Sequence, residues 1–204
     1  MYSYVLGFNL ALRGDEASRF LEEAVRTWPS LWDSIPGVRG FLLLRGALAL
    51  GGPFEYQLRV DIDTLNTLST IDRVMASGEG GWRKTRSKWF KARTVAHARV
   101  LGFVDGDEGH LNGQGAIHLL APCRPDGSGQ PESCLQAVRE VPGVVSAQVL
   151  RPALAAADAQ EELWVRLQSL DNLDAVAAAG GLATGRAQLF GELREVDGAL
   201  FAGA

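Results

Sequence analysis

A short motif occurs twice in this chain, and its surroundings repeat in step with it. Ile35-Pro36-Gly37-Val38 returns 106 positions later as Val141-Pro142-Gly143-Val144. At the same offset Leu44-Arg45 matches Leu150-Arg151, and Ala47-Leu48 matches Ala153-Leu154. One residue is lost from the loop that follows. Leu58, Val60 and Ile62 then match Leu163, Val165 and Leu167, and Thr64-Leu65-Asn66-Thr67-Leu68 matches Ser169-Leu170-Asp171-Asn172-Leu173. Apolar patterns coincide by accident one at a time, not all in order across a single indel. The sequence is therefore one unit written twice, and the unit is what has to fold.

Each copy reads strand, helix, strand, strand, helix, strand. In the first, Tyr4, Leu6, Phe8 and Leu10 alternate with Val5, Gly7 and Asn9, the two-residue period of a strand. Met1 to Leu12 lacks the basic n-region of a signal peptide, so this apolar stretch reads as the first strand. Behind a cap at Asp15, Ala17, Phe20, Leu21, Ala24, Val25 and Trp28 recur at three and four, one face of a helix that Pro29 is expected to kink or end. Pro36-Gly37 then turns the chain into a strand over 38–50, and Gly51-Gly52-Pro53 makes a hairpin with the strand 54–62. Asp63 caps a second helix carrying Leu65, Leu68, Ile71 and Val74, and a last strand runs over 95–104. The second copy repeats this with strands near 116–121, 144–153, 163–167 and 186–193. Its helices begin at Pro131 and behind Ser169. The pattern is α+β: tandem ferredoxin-like (βαββαβ) repeats, at 1–106 and 115–204, joined by a polar linker at 107–114.

The order strand–helix–(Ile/Val)-Pro-Gly-Val–strand in both halves resembles the dimeric α+β barrel superfamily. Its members include stress-responsive barrel proteins, antibiotic-biosynthesis monooxygenases and EthD-like proteins. The resemblance implies two four-stranded antiparallel sheets packed through their helix-free faces as a barrel. One chain here carries both sheets, so it either closes the barrel alone or pairs with a second copy as a homo-oligomer. Cofactor-free chemistry on oxygenated compounds is a further implication of the resemblance. Some barrel relatives bind haem, but no haem ligand is recognisable in this sequence and no cofactor is expected.

Aligning the copies sorts the side chains by face. Leu58, Val60 and Ile62, with Leu163, Val165 and Leu167, form the helix-facing set. Gln57, Arg59, Asp61, Glu162, Trp164 and Arg166 then point to the other sheet. The same parity puts His97 and Arg99, matched by Arg186 and Gln188, together with Asn9, His118 and Gln148, on that inner face. So many charges do not sit unpaired in a dry interface. Either they pair with one another or meet solvent, or they line a pocket for a small molecule. In the second case Arg59, Arg99, Arg166 and Arg186, with Trp164 and Asn9, suit a carboxylate, enolate or phenolate oxygen. His118 is the first candidate for proton transfer and His97 the second. Ala116-Ile117-His118-Leu119-Leu120 also resembles the first-strand histidine pattern of stress-responsive barrel proteins. The alternative is a histidine satisfied by a backbone partner.

The copies differ after the second helix, where the first carries roughly sixteen extra residues. Within them lies Trp82-Arg83-Lys84-Thr85-Arg86-Ser87-Lys88-Trp89-Phe90-Lys91-Ala92-Arg93. Basic and aromatic side chains interleave in this way on single-stranded nucleic acid. They equally suit a lid on a barrel, an arm (82–93) docking an acidic partner in a non-catalytic assembly, or a loop with its aromatics tucked onto the body. The net charge of −4 argues against nucleic acid. No apolar run is long enough for a membrane span. Cys123 and Cys134 form neither a disulfide framework nor a metal motif, which fits a reducing cytoplasmic setting, and the scattered histidines give no reason to expect a metal.

Overall fold

The computed structural model describes residues 1–50, 52–107, 117–122, 131–154, 160–180, 187–196 and 199–202. The first copy supplies β1 (Tyr2–Leu10), α1 (Gly14–Asp33), β2 (Val38–Gly46), β3 (Tyr56–Ile62), α2 (Thr67–Ser77), α3 (Trp82–Ala92) and β4 (Arg93–Gly106). The second supplies β5 (Ile117–Pro122), α4 (Pro131–Arg139), β6 (Val144–Leu154), β7 (Glu162–Leu167), α5 (Leu173–Ala179) and β8 (Gln188–Val196), after which β9 (Ala199–Ala202) folds back on β8.

The strands lie in the order β2-β3-β1-β4-β6-β7-β5-β8-β9, and β2 also pairs with β8. That last pairing closes eight antiparallel strands into a barrel within one chain. Each copy contributes four neighbouring strands, and two inter-copy seams join them. At one seam Phe103 lies opposite Leu150, and at the other Leu44 lies opposite Glu192.

Register bears out the internal repeat. Ser3 faces Asp61 across β1–β3 as His118 faces Arg166 across β5–β7, and Leu42 faces Arg59 as Gln148 faces Trp164. The repeated Pro-Gly has a backbone reason. Gly37 and Gly143 both take positive φ (89° and 84°), a region that penalises any Cβ, and each carbonyl accepts a hydrogen bond at 2.9 Å, from Asp63 N–H and Gln168 N–H respectively.

Several local expectations are corrected. α1 does not end at Pro29 but continues to Asp33, because Trp28 and Trp32, on either side of it, are both buried in the core; their burial outweighs the lost helix bond. Asp15 lies in the first turn of α1, and Arg13 is the cap residue. α2 starts later than Asp63, which instead pairs with Arg39, and α5 starts at Leu173 rather than behind Ser169, whose hydroxyl turns to Asp171. β2 ends at Gly46 in a short 3₁₀ turn. The arm is a helix, α3, rather than a loop. Trp82 and Trp89 are seven apart on one face and stack edge-on against Trp32 (4.9 Å) and Trp28 (4.7 Å).

The buried apolar residues form three groups. One lies between the first sheet and α1–α3 and one between the second sheet and α4–α5; Val5, Leu42, Leu44, Leu101, Leu120, Leu150, Trp164 and Phe190 fill the barrel interior. The interior is thus less polar than the third strands alone suggest, since β2, β4 and β8 bring leucine and phenylalanine to it. Among the described residues, no helix is long and apolar enough to cross a membrane.

Candidate functional site

Inside the barrel the inward positions of β3 and β7 meet. Arg59 and Trp164 are equivalent residues of the two copies, and the guanidinium carbon of Arg59 lies 4.1 Å from the centre of the Trp164 ring. Equivalent residues that touch mark the pseudo-twofold axis of the duplication.

On the Arg59 side the guanidinium and the Asp61 carboxylate are both partnered. Asp61 Oδ1 accepts from Ser3 Oγ (2.5 Å) and Arg59 Nε (2.9 Å), and Oδ2 accepts from Arg59 Nη2 (3.1 Å). Gln148, with its amide oxygen assigned toward the donors around it, accepts from Arg59 Nη1 (2.9 Å) and Nη2 (2.7 Å). Arg59, Asp61 and Gln148 are all buried. A buried guanidinium is tolerable only with this complement of acceptors.

The symmetry-related side carries different chemistry. His118 is fully buried, and its Nδ1 accepts from Trp164 Nε1–H at 3.0 Å. Its Nε2 lies 3.8 Å from Glu192 Oε2, which accepts from Arg166 Nη2 at 3.1 Å. Burial pushes the imidazole pKa below its ordinary value, against an upward pull from Glu192. The ring is therefore neutral near pH 7. With Nδ1 accepting, its proton sits on Nε2, toward the carboxylate. Glu192 keeps 15% of its side-chain surface exposed, so this end of the interior communicates with solvent. Across β3, β2 and β8, Gln57, Leu44 and Glu192 lie in register, and the buried Gln57 Oε1 has no hydrogen-bond partner among the described residues.

The structure therefore brings together Arg59, Trp164, Arg166 and His118. Arg99 is inward but engages Glu162. His97 is exposed, away from the buried group. Asn9 clamps the β2–β3 hairpin, accepting from Glu55 N–H at 2.7 Å. Arg186, Cys123 and most of the linker lie outside the described residues. Parity reasoning reaches Gln188 but stops short of Glu192, four residues on, which is the carboxylate that completes the group. Among the described residues no cluster of His, Cys, Asp and Glu is placed to hold a metal.

A second feature lies on the opposite face of the first sheet. Between that sheet and α2–α3 there is a cavity of about 350 Å³. Its floor is Tyr4, Leu6, Leu58 and Val100, and its walls are Trp32, Leu68, Ile71, Met75, Trp89 and Phe90. Three polar side chains reach it: Tyr4, Arg93 and, from an exposed position, Asp72. Arg93 stacks on Phe90 (4.2 Å) and Trp89 (5.3 Å) and meets no carboxylate within 4 Å among the described residues. Burial raises the Tyr4 pKa while Arg93 lowers it, and burial lowers the Arg93 pKa while Tyr4 raises it. The arm's extra length marks where the first copy departs from the second, but no pattern in the sequence links Tyr4, Leu68 and Arg93 to a shared cavity. Reading the arm as a docking element leaves only its basic face for a partner, because Trp82 and Trp89 are committed to the core.

No protein-family model and no curated protein matches the sequence. Solved structures match its fold along the whole chain. An anthrone oxidase-like protein aligns with a TM-score of 0.55 at 14% identity, over 100% of this chain and 96% of its own. A candidate monooxygenase from Fusobacterium nucleatum subsp. nucleatum aligns with a TM-score of 0.63 at 9% identity, over 100% and 98%. A chlorite dismutase variant from Candidatus Nitrospira defluvii aligns with a TM-score of 0.53 at 12% identity, over 96% and 92%. At these identities the likeness is one of fold. The chain has the fold of the dimeric α+β barrel superfamily, with both sheets in one polypeptide.

Proposed function

We propose that this chain binds a small oxygenated anion with an apolar body, in the cavity between the first sheet and α2–α3. The observation that carries the reading is Arg93, a half-buried guanidinium without a carboxylate within 4 Å among the described residues, beside Tyr4 on a mostly apolar cavity. The volume lies in the range of small-molecule sites, about 300–1,000 Å³. A guanidinium fork and a phenol hydroxyl select a planar carboxylate or phenolate oxygen, while Leu6, Leu58, Ile71 and Val100 select an apolar ring or chain behind it. The test is calorimetric titration with 6-hydroxy-2-naphthoate. Arg93→Gln is expected to weaken binding about tenfold, as loss of a charge-assisted hydrogen bond does. Leu68→Trp, which fills the cavity, is expected to abolish it. Unchanged binding in both variants would overturn the reading.

A second reading places an oxygenated anion between the two sheets, with His118 moving its proton. It is supported by the neutral imidazole facing the partly exposed Glu192 beside Arg166. Against it stands the pairing of Arg59, Arg99 and Arg166 with carboxylates. Binding that survives Leu68→Trp but is lost in Glu192→Gln would favour this site over the cavity.

A further inference from the structure

In the groove between the C-terminal end of α2 and α3, a second cavity of about 300 Å³ is lined by Met75, Ser77, Gly78, Arg83, Arg86 and Ser87 and by the ring of Phe90. Met75 and Phe90 also line the inner cavity, so the two chambers share one wall. That wall is thin. Phe90 is 51% exposed, unlike its neighbour Trp89, which is buried in the core. A cation stacks on it from each chamber: Arg93 at 4.2 Å from the inner one and Arg86 at 5.4 Å from the outer one.

Helical spacing explains the arrangement. Arg83, Arg86, Ser87 and Phe90 recur at three and four along α3, so they share a face a little over a quarter-turn from the Trp82–Trp89 core face. Arg83 and Arg86 are exposed, and neither has a carboxylate within 4 Å among the described residues. Two adjacent guanidiniums and the Ser87 hydroxyl match the three-oxygen face of a phosphate better than the two oxygens of a carboxylate.

We infer that the two chambers form one elongated site, in which an apolar body enters beneath α3, past Phe90, and a phosphate-type anion stays outside on Arg83 and Arg86. This deepens the proposed function and rests on it: the ligand class becomes an amphipathic compound with an inner oxygen at Arg93 and an outer phosphate. The insertion that separates the first copy from the second would then be the element that added phosphate recognition to a generic apolar cavity.

The test compares two probes with one body, 6-hydroxy-2-naphthoate and 6-phosphonooxy-2-naphthoate. On the unmodified chain the phosphate ester should bind about tenfold tighter or better, as two charge-assisted contacts imply. In the Arg83→Ala/Arg86→Ala double variant that advantage should vanish, while affinity for the hydroxy acid holds. Equal affinity on the unmodified chain, or an advantage that survives the double variant, overturns the two-chamber site and leaves the cavity reading standing. Failure of both probes to bind overturns both. A final arm adds phosphatidic acid vesicles. Co-sedimentation lost in the double variant, without any gain for the soluble phosphate, would mean that the arginines serve a lipid surface, and would also overturn the inference.

Discussion

The two copies of this chain put different chemistry at the same places. Ser3 and Asp61 of the first stand where the second has His118 and Arg166, and Arg59 stands where it has Trp164. The first copy's group is closed: each carboxylate oxygen of Asp61 accepts from a buried donor, and Gln148 takes the remaining face of Arg59. The second copy's group ends in Glu192, which reaches solvent. Outside the barrel the contrast runs the other way. α5 sets Val176 fully buried in the second copy's core, whereas α2 shares a cavity with the inserted α3 in the first. A duplication frees each half from having to do everything. Here the first copy locks the interior and opens its helix side, and the second does the reverse.

The sharpest way to break that contrast is to remove one carboxylate from each group. Asp61→Ala leaves Arg59 charged and buried, and should cost about 3–5 kcal/mol in urea unfolding. Glu192→Ala, at the end that water reaches, should cost less, about 1–2 kcal/mol. Equal losses would show that the two ends are not differently solvated. Truncating the arm's anchor, Trp89→Ala, should cost about 3–5 kcal/mol as a cavity opens among Phe8, Phe20 and Trp28. A loss below about 1 kcal/mol would mean that α3 is not part of the first copy's core.

A pH series sharpens the second copy's side. The folded His118 pKa lies below its unfolded value, so between the two the unfolded chain binds the extra proton. Stability should therefore fall as pH drops through about 6.5, by at most about 1.4 kcal/mol per pH unit from this group. His118→Asn should flatten that part of the slope relative to the parent chain; an unchanged slope would assign it to other groups. The smallest effect belongs to the Lys88–Glu23 pair, which clamps α3 to α1 across solvent at 2.6 Å. Lys88→Ala should change unfolding free energy by about 0.5 kcal/mol or less.

Most of the fold was legible because repetition and period carry it. The offset between copies predicted which third-strand residues face inward, and the register of Arg59 with Leu42 and of Trp164 with Gln148 agrees. What escaped was tertiary. Pro29 sits inside α1 because flanking tryptophans hold the helix, and the arm is helical because Trp82 and Trp89 share a buried face; neither outcome is visible in local propensity. The interior cations were identified as inward-facing, but their partners were only partly so. Pairing depends on how strands meet across the seams, and Glu192 reaches its place beside Leu44 through β2–β8, a contact between strands about 150 residues apart in sequence. The cavity was out of reach for the same reason. Tyr4, Leu68 and Arg93 come from three distant elements and share no pattern along the chain.

The most direct test of the central claim, that the ligand site lies on the helix side of the first copy, is a titration of 6-hydroxy-2-naphthoate followed by amide chemical shifts. Perturbations confined to Tyr4, Leu6, Ile71, Phe90 and Arg93, and absent in Leu68→Trp, are the predicted result. Perturbations centred on His118, Arg166 and Glu192 and surviving Leu68→Trp would contradict it.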